Sequence, residues 1–291
     1  MLPLHDENPT TGRSWLTIAL IVINVVVFVW LQPRSSNVES TAFVYEFASV
    51  PCEVTQGRPL TAAENPAANG GNTEACSDAF ANNTASCRFV PEGRNCQIFP
   101  DKLIYLSVLF SLFFHGSWLH LAFNMVFLWV FGNNIEDHLG RIRFALFYVA
   151  GGVVATVAHI AFNLDSTVPL IGASGAVAGV MGAYLVWFPN AKVTTLVFFF
   201  LVLFVRIRAK WLLLLWFASQ FLIDPNNGIA WLAHVGGFAF GVLFALIVRE
   251  SPRARTAVWT GAHRDAAQGL WDNRFGGRNN DVNPPYEQPG I

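Results

Sequence analysis

Long apolar runs constrain this chain more than any other feature of its sequence. Hydrophobic residues make up 53% of the 291 residues and charged residues only 13%, which is not the composition of a water-soluble domain. A helix needs about 20 largely apolar residues to cross the hydrocarbon core of a bilayer. We therefore predict six membrane spans, near Trp15 to Leu31, Trp118 to Ile135, Phe144 to Phe162, Ala173 to Phe188, Trp211 to Ile223 and Ile229 to Val248.

The lipid bilayer is the expected partner, and nucleic acid is not. The formal net charge is −1, and no clustered basic surface of the kind that phosphate binding requires is visible. The first span follows Arg13, but no small-x-small cleavage site follows it at Gln32-Pro33-Arg34, so we interpret it as a retained anchor. Two apolar runs, Leu103 to Phe114 and Val193 to Val205, are too short to cross comfortably and are expected to lie in or dip into the interface.

Basic residues in the short loops set the predicted orientation. Arg141 and Arg143 lie between the second and third spans. The loop between the fourth and fifth spans and the segment after the sixth are also basic, with Lys192, Arg206, Arg208, Lys210, Arg249, Arg253 and Arg255. By the positive-inside rule these segments are cytoplasmic, so both termini are expected inside. The expected fold class is an all-α membrane protein, a bundle of six transmembrane helices with a long extracytoplasmic loop between helices 1 and 2.

Composition divides the chain into parts. Residues 1–13 are an expected cytoplasmic N-terminus, and residues 14–250 an expected six-helix membrane domain that contains an extracytoplasmic insertion over residues 33–102. Residues 251–291 are rich in Arg, Asn, Gly and Pro, which indicates a disordered cytoplasmic tail. No internal repeat suggests a transporter with inverted halves.

All four cysteines lie in the insertion, at Cys52, Cys76, Cys87 and Cys96. An even number confined to one non-cytoplasmic loop predicts two disulfides. Free thiols or a metal site are the alternatives, although no C-x-x-C spacing is present.

Strongly polar side chains inside predicted spans are functional hypotheses, because they are costly in a bilayer. They are His120, Asn124, His159 and His234. A single one could equally be an interhelical hydrogen bond that holds the bundle together. However, His120, Ser174 and His234 each fall in the first turn or two of a span that runs from outside to inside. With a rise of about 1.5 Å per residue they reach similar depths, which predicts one shared site open to water from outside.

Ser174 lies in Gly172-Ala173-Ser174-Gly175, where an outer loop turns into the fourth span. A helix N-terminus offers free N–H groups and a positive dipole end, which suit a developing oxyanion. A serine hydroxyl needs a base, and His234 in Ala233-His234-Val235-Gly236-Gly237 is the natural candidate. On these two helices the pairs Gly175 with Gly179 and Gly237 with Gly241 have the small-xxx-small spacing that permits close packing. Alone, G-x-S-G reads equally well as small-residue packing.

His120 and Asn124 are four residues apart and therefore share one face of the second span, where both could donate hydrogen bonds to an oxyanion. His115, just before this span, is assigned a structural role, and His159 is the runner-up base. Other chemistries lack their residues: the sequence has no H-E-x-x-H metal motif, its aspartates near the spans fall in loops, and its lysines lie outside the spans. No acid is evident to orient the histidine, so a dyad is expected rather than a triad.

Together these motifs resemble the rhomboid family of intramembrane serine proteases. His120-Leu121-Ala122-Phe123-Asn124 is similar to its H-x-x-x-N, Gly172 to Gly175 to its G-x-S-G, and Ala233 to Gly241 to its A-H-x-x-G-x-x-x-G. The resemblance covers about Ser14 to Glu250. It implies that Ser174 is the nucleophile and His234 the general base and then acid, with His120 and Asn124 binding the oxyanion.

The resemblance also implies single-span membrane proteins as substrates, cut in or near the bilayer, and no cofactor. It implies that Leu103 to Phe114 belongs to a semi-submerged loop. One departure concerns the aromatic residue that the family often has one turn after the serine, packed on the histidine ring. Ala178 stands there in this chain, and Phe127 or Trp231 is expected to substitute. Two alternatives stay open: an inactive relative that binds membrane clients, and a transporter with a histidine proton relay.

Overall fold

The described part of the chain is mostly helical. The computed structural model describes residues 1–10, 12–33, 37–61, 64, 76, 97–198, 202–224 and 228–248, so the disorder predicted for 251–291 lies outside them. The longer helices are α1 (Trp15–Val26, continued as a π-helix over Val27–Leu31), α5 (Trp118–Leu139), α6 (Arg141–Ala161), α7 (Ser174–Trp187), α8 (Ala209–Gln220) and α9 (Trp231–Ile247). The shorter ones are α2 (Asn37–Phe47), α3 (Pro51–Gln56) and α4 (Ile104–Phe110), which ends in a 3₁₀ turn at Ser111–Phe113.

Each of the six predicted apolar stretches is helical. By length and composition, one helix among the described residues, Arg141–Ala161, could cross a membrane by itself. Ile104–Phe113 and Trp118–Leu139 pass the same test as a pair that is bent by 80° between them. Trp15–Leu31, Ser174–Trp187 and Trp231–Ile247 are shorter apolar helices.

Helices α7 and α9 cross at very short range, and glycines make this possible. A Cβ atom on Gly237 would overlap the carbonyl oxygen of Gly175, and one on Gly241 would overlap that of Gly179. Gly175 itself faces the methyl group of Ala155 on α6. Because α9 makes its most extensive contacts with α7 and also packs on α6, these three helices form the centre of the bundle.

A three-stranded antiparallel sheet departs from the all-α expectation. It consists of β1 (Leu2–Asp6), β2 (Lys192–Phe198) and β3 (Val202–Arg208), in the order β1-β2-β3. Strands β2 and β3 are rich in β-branched and aromatic residues, which favour extended backbone. The short apolar run from Val193 to Val205 therefore lies in two paired strands, and its expected place in or near the interface stays a prediction.

Strand β1 is fixed to the bundle by a buried polar network. The Asp6 carboxylate accepts hydrogen bonds from the Tyr184 hydroxyl on α7 (2.6 Å) and from the Asn134 amide on α5. The Glu136 carboxylate accepts hydrogen bonds from the backbone N–H groups of Leu16 and Thr17. These groups lie in the first turn of α1, where backbone N–H groups have no partner within the helix. The first residues are thus docked on the bundle rather than extending from it.

The insertion forms a small structure of its own beside the bundle. Cys52 and Cys76 form a disulfide and pack with Val50 and Leu60 in a separate core. Cys87 and Cys96, the other two cysteines of the insertion, lie outside the described residues, and so does the second predicted disulfide. Possible metal-ligand atoms lie within 4.8 Å of one another on Cys52, Glu64 and Cys76. However, both sulfurs are in the disulfide, and the Glu64 carboxylate binds the Arg58 guanidinium at 2.7 Å. This arrangement does not favour a metal.

One segment of the insertion, which we call the strap (Ser49–Cys52), holds the loop that precedes α7. Leu170 N–H donates to the Ser49 carbonyl at 2.7 Å, and Cys52 N–H donates to the Ser166 carbonyl at 3.0 Å. The Ser49 N–H in turn donates to the Ser111 hydroxyl at 2.7 Å. The strap therefore links the disulfide to residues 163–173, the loop that leads into Ser174.

Candidate active site

Ser174 is the first residue of α7, and its hydroxyl oxygen lies 2.8 Å from Nε2 of His234 in the first turn of α9. The chain reaches this position through Gly172, whose φ of +126° is a conformation that favours glycine. Gly172 N–H donates to the Ser111 carbonyl at 2.9 Å, which fixes the loop just before the serine. A hydroxyl and an imidazole at this distance have the geometry that acyl transfer requires of a nucleophile and its base.

The other ring nitrogen of His234 is also bonded. Its Nδ1 lies 2.7 Å from Oε1 of Gln220, at the last residue of α8. The ring packs beside the indole of Trp216, with 6.0 Å between centroids. The aromatic neighbour of the histidine is thus Trp216, and the expectation of Phe127 or Trp231 in this role is wrong: Phe127 packs on Trp216, and Trp231 packs on Phe221.

His120 lies in the first turn of α5, beside the loop that leads to the serine. Its Nδ1 accepts a hydrogen bond from Gly116 N–H at 3.4 Å, so Nε2 carries the proton in the neutral ring and can donate. A Cβ atom built on Gly172 would lie 2.8 Å from Nε2 of His120 and 3.6 Å from the Ser174 hydroxyl oxygen. Only a glycine leaves this space open for a small group between the imidazole and the serine.

Asn124 lies one turn further along α5 and is buried. Its amide nitrogen donates to the His120 carbonyl at 3.0 Å, which uses one of its two N–H bonds. The second N–H bond remains for another acceptor.

The described contacts of the two remaining histidines of the sequence analysis are with residues other than Ser174. No hydrogen bond between His159 and Ser174 is described, and the Asn163 amide donates to the His159 carbonyl. His115 is buried under Phe28 and His120, and burial lowers its pKa to about 3, which keeps the ring neutral. Its backbone exchanges two hydrogen bonds with the Gln32 amide, which closes the end of α1 onto this loop.

The sequence analysis missed Gln220 and Trp216. They lie four residues apart, on one face of α8, and near the outer end of that predicted span. Their depth matches that of His234, which is the one signal that could have identified them. An indole is common near the ends of membrane helices, so residue type alone did not distinguish Trp216. Gln220 is a polar residue inside a predicted span, as Asn124 is, and was overlooked.

Comparison with known proteins identifies a family for this chain. A family model described as the rhomboid domain matches residues 104–251, which are 148 of the 291 residues. Rhomboid protein 1, mitochondrial, from Saccharomyces cerevisiae is 29% identical over 155 residues, covering 50% of this chain and 42% of that protein. Presenilin-associated rhomboid-like protein A, mitochondrial, from Danio rerio is 35% identical over 94 residues, covering 32% of this chain and 24% of that protein.

A bacterial relative is similar over a shorter segment. Rhomboid protease GluP from Bacillus subtilis is 40% identical over 78 residues, covering 27% of this chain and 15% of that protein. The chain thus spans less than half the length of these curated relatives. The family match extends over half of the chain and includes the helices that carry His120, Ser174 and His234, so the chain belongs to the rhomboid family of helical membrane proteins.

Proposed function

We propose that this chain is an intramembrane serine endopeptidase that cleaves single-span membrane proteins in or near their transmembrane segments. The observation that carries the proposal is the 2.8 Å hydrogen bond between the Ser174 hydroxyl and Nε2 of His234, in a chain of the rhomboid family. The name of the Bacillus subtilis relative, a rhomboid protease, supports the same activity.

The chemistry follows from the positions of the side chains. The Ser174 oxygen attacks the carbonyl carbon of the scissile peptide bond while His234 Nε2 accepts the hydroxyl proton. Negative charge develops on the carbonyl oxygen, which would be met by Nε2–H of His120, the Asn124 amide and the free N–H groups at the start of α7. His234 then gives its proton to the leaving amine nitrogen as the C–N bond breaks. Water then attacks the acyl carbon while His234 accepts its proton. His234 returns this proton to the Ser174 oxygen as the ester bond breaks.

We further propose that six helices, α1 and α5 to α9, cross the bilayer and that both termini are cytoplasmic. His120, Ser174 and His234 all lie at the N-terminal ends of their helices and meet in one site, so α5, α7 and α9 would run in the same direction. Strand β1 pairs with β2, which puts residues 2–6 on the same side as the connection between α7 and α8. This side carries Lys192, Arg206 and Arg208, as the positive-inside rule requires of cytoplasmic loops.

Within this topology, residues 14–250 would be the membrane domain, residues 33–102 an extracytoplasmic insertion, and residues 251–291 a cytoplasmic tail. The disulfide between Cys52 and Cys76 is consistent with an oxidising compartment for the insertion.

Two other functions make different predictions. An inactive relative that binds membrane clients would keep the fold, but it would have no reason to keep Ser174 in hydrogen-bond contact with a histidine. A histidine relay in a transporter would need polar residues along a path through the bilayer. His120, Ser174 and His234 instead meet at one end of three helices.

A fluorophosphonate probe, which reacts with activated serines, separates these functions. The purified full chain should be labelled, and Ser174→Ala and His234→Ala should reduce both labelling and cleavage of a tagged single-span substrate to background. His159→Ala is the matched control, because it removes a partly buried histidine that has no described bond to the serine. Full labelling of Ser174→Ala would refute the proposal, as would loss with His159→Ala but not with His234→Ala.

A further inference from the structure

Gln220 completes the hydrogen-bond chain that ends at the nucleophile. We infer that it is a positioning residue, whose side-chain oxygen holds the imidazole of His234 in the tautomer that can accept the Ser174 proton. This inference rests on the proposed function and changes the site from a dyad to an ordered series of three side chains. Gln220 is only 4% exposed, and its Oε1 lies 2.7 Å from Nδ1 of His234.

The orientation of the amide follows from its second contact. Nε2 of Gln220 lies 3.0 Å from the backbone carbonyl oxygen of Trp216 and 3.3 Å from the hydroxyl of Ser219. A carbonyl oxygen can only accept, so the amide NH₂ group must face it and Oε1 must face the histidine. The flipped amide would bring two oxygens together at the Trp216 carbonyl and two donors together at His234.

The tautomer of His234 follows from the orientation of Gln220. Oε1 can only accept, so Nδ1 must carry the proton. A neutral imidazole has one N–H bond, and Nε2 is therefore the free acceptor that faces the Ser174 hydroxyl at 2.8 Å. When Nε2 takes the serine proton, the ring becomes an imidazolium whose charged Nδ1–H makes a stronger hydrogen bond to Oε1. An amide thereby orients the base without placing a second ionised group in the site.

The two ends of the Gln220 side chain have separable roles. Nε2 caps the end of α8 through the Trp216 carbonyl, which is a structural contact. Oε1 accepts the hydrogen bond that fixes the tautomer of His234. Gln220→Leu removes both contacts at similar volume, whereas Gln220→Glu keeps an oxygen for Nδ1–H and loses the donor to Trp216.

The test is the rate at which Ser174 in the full chain is labelled by the fluorophosphonate probe, measured across pH. Labelling reads nucleophile activation without requiring a substrate to bind. Gln220→Leu should slow it by about 10- to 100-fold, since the buried N–H of His234 loses its acceptor and the competing tautomer becomes accessible. Gln220→Glu should reach a plateau within about threefold of the unsubstituted chain. As the pH is lowered, labelling of Gln220→Glu should begin to slow at a higher pH than labelling of the unsubstituted chain, because a carboxylate stabilises the imidazolium.

Leu214→Ala is the matched control, a truncation on the same helix at a side chain that is 43% exposed, and it should label normally. Normal labelling of Gln220→Leu would overturn the inference, as would a Glu variant as slow as the Leu variant with an unshifted pH profile. Neither result would affect the proposed function, which fails only if labelling does not require Ser174 and His234.

Discussion

The disulfide between Cys52 and Cys76 should stabilise the loop that leads into Ser174, although the disulfide lies outside the bundle. The strap connects the two: Cys52 N–H bonds to the Ser166 carbonyl, and the Ser49 carbonyl accepts from Leu170 N–H. Opening the strap would release both contacts to residues 163–173. We therefore expect the double variant Cys52→Ser/Cys76→Ser to increase local opening of this loop.

The size of the effect follows from the length of chain that the disulfide closes. The two cysteines are 24 residues apart, and a link that closes a loop of this length contributes about 3 kcal/mol by reducing the entropy of the open state. If the strap and the loop open together, the opening equilibrium rises by about 150-fold. The substitution of both cysteines also prevents mispairing with Cys87 or Cys96.

Hydrogen exchange measured by mass spectrometry on detergent-solubilised protein would follow this opening. Peptides covering residues 163–173 should exchange faster in the double variant, while peptides from α9 should not change. A thiol reductant should reproduce the effect on the unsubstituted chain and add nothing to the double variant. Exchange of the loop within about threefold of the original rate would refute the reasoning, because the strap would then be held by its backbone bonds alone.

Three further predictions concern other parts of the molecule. Asn124→Ala should reduce kcat by a factor on the order of 10² to 10³ without reaching the background of Ser174→Ala, because His120 and backbone N–H groups would still face the oxyanion. Kinetics with a purified substrate would check this, and an unchanged kcat would contradict it. Gly241→Leu should destabilise the fold by about 3 kcal/mol or more through overlap with the Gly179 carbonyl, measured by thermal unfolding. Gly12→Leu should be neutral, because among the described residues only its chain neighbours could lie within 4 Å of a Cβ there. Burial raises the pKa of Asp6 above its ordinary value of 3.8, so its contribution to stability is largest below pH 3.8 and is lost as the pH rises through the raised pKa. The Tm of the unsubstituted chain relative to Asp6→Asn should therefore fall over that range, and a difference independent of pH would contradict this.

The helices could be predicted because each one corresponds to a long apolar run in the sequence. The depth of each polar residue follows from its position along such a run, which is how Ser174 and His234 could be paired from the sequence. Their side chains are 2.8 Å apart in the structure. The glycine spacing on α7 and α9 predicted their close packing, since only residues without a side chain allow these backbones to approach.

Contacts that depend on the rotation of a helix or on distant pairing could not be predicted. Depth along the fifth predicted span places Gln220 and Trp216 level with His234, but their contact with its ring depends on the angle at which α8 faces α9, and residue type does not encode that angle. Strand β1 has five residues and pairs with a strand almost two hundred positions away, so its partner is not evident from local patterning. The sheet was missed for that reason.

The docked first strand has a consequence for the order of folding during synthesis. Asp6 bonds to Tyr184, which lies 178 residues later in the chain. At about 5 to 20 residues per second, a ribosome needs roughly 10 to 40 s to add that length. Leu2–Asp6 must therefore wait without its partners while α1, the insertion, α5 and α6 are made, and it can pair only after α7 and β2 have emerged. Closure of this sheet is a late event, and the buried Asp6 carboxylate remains hydrated until then.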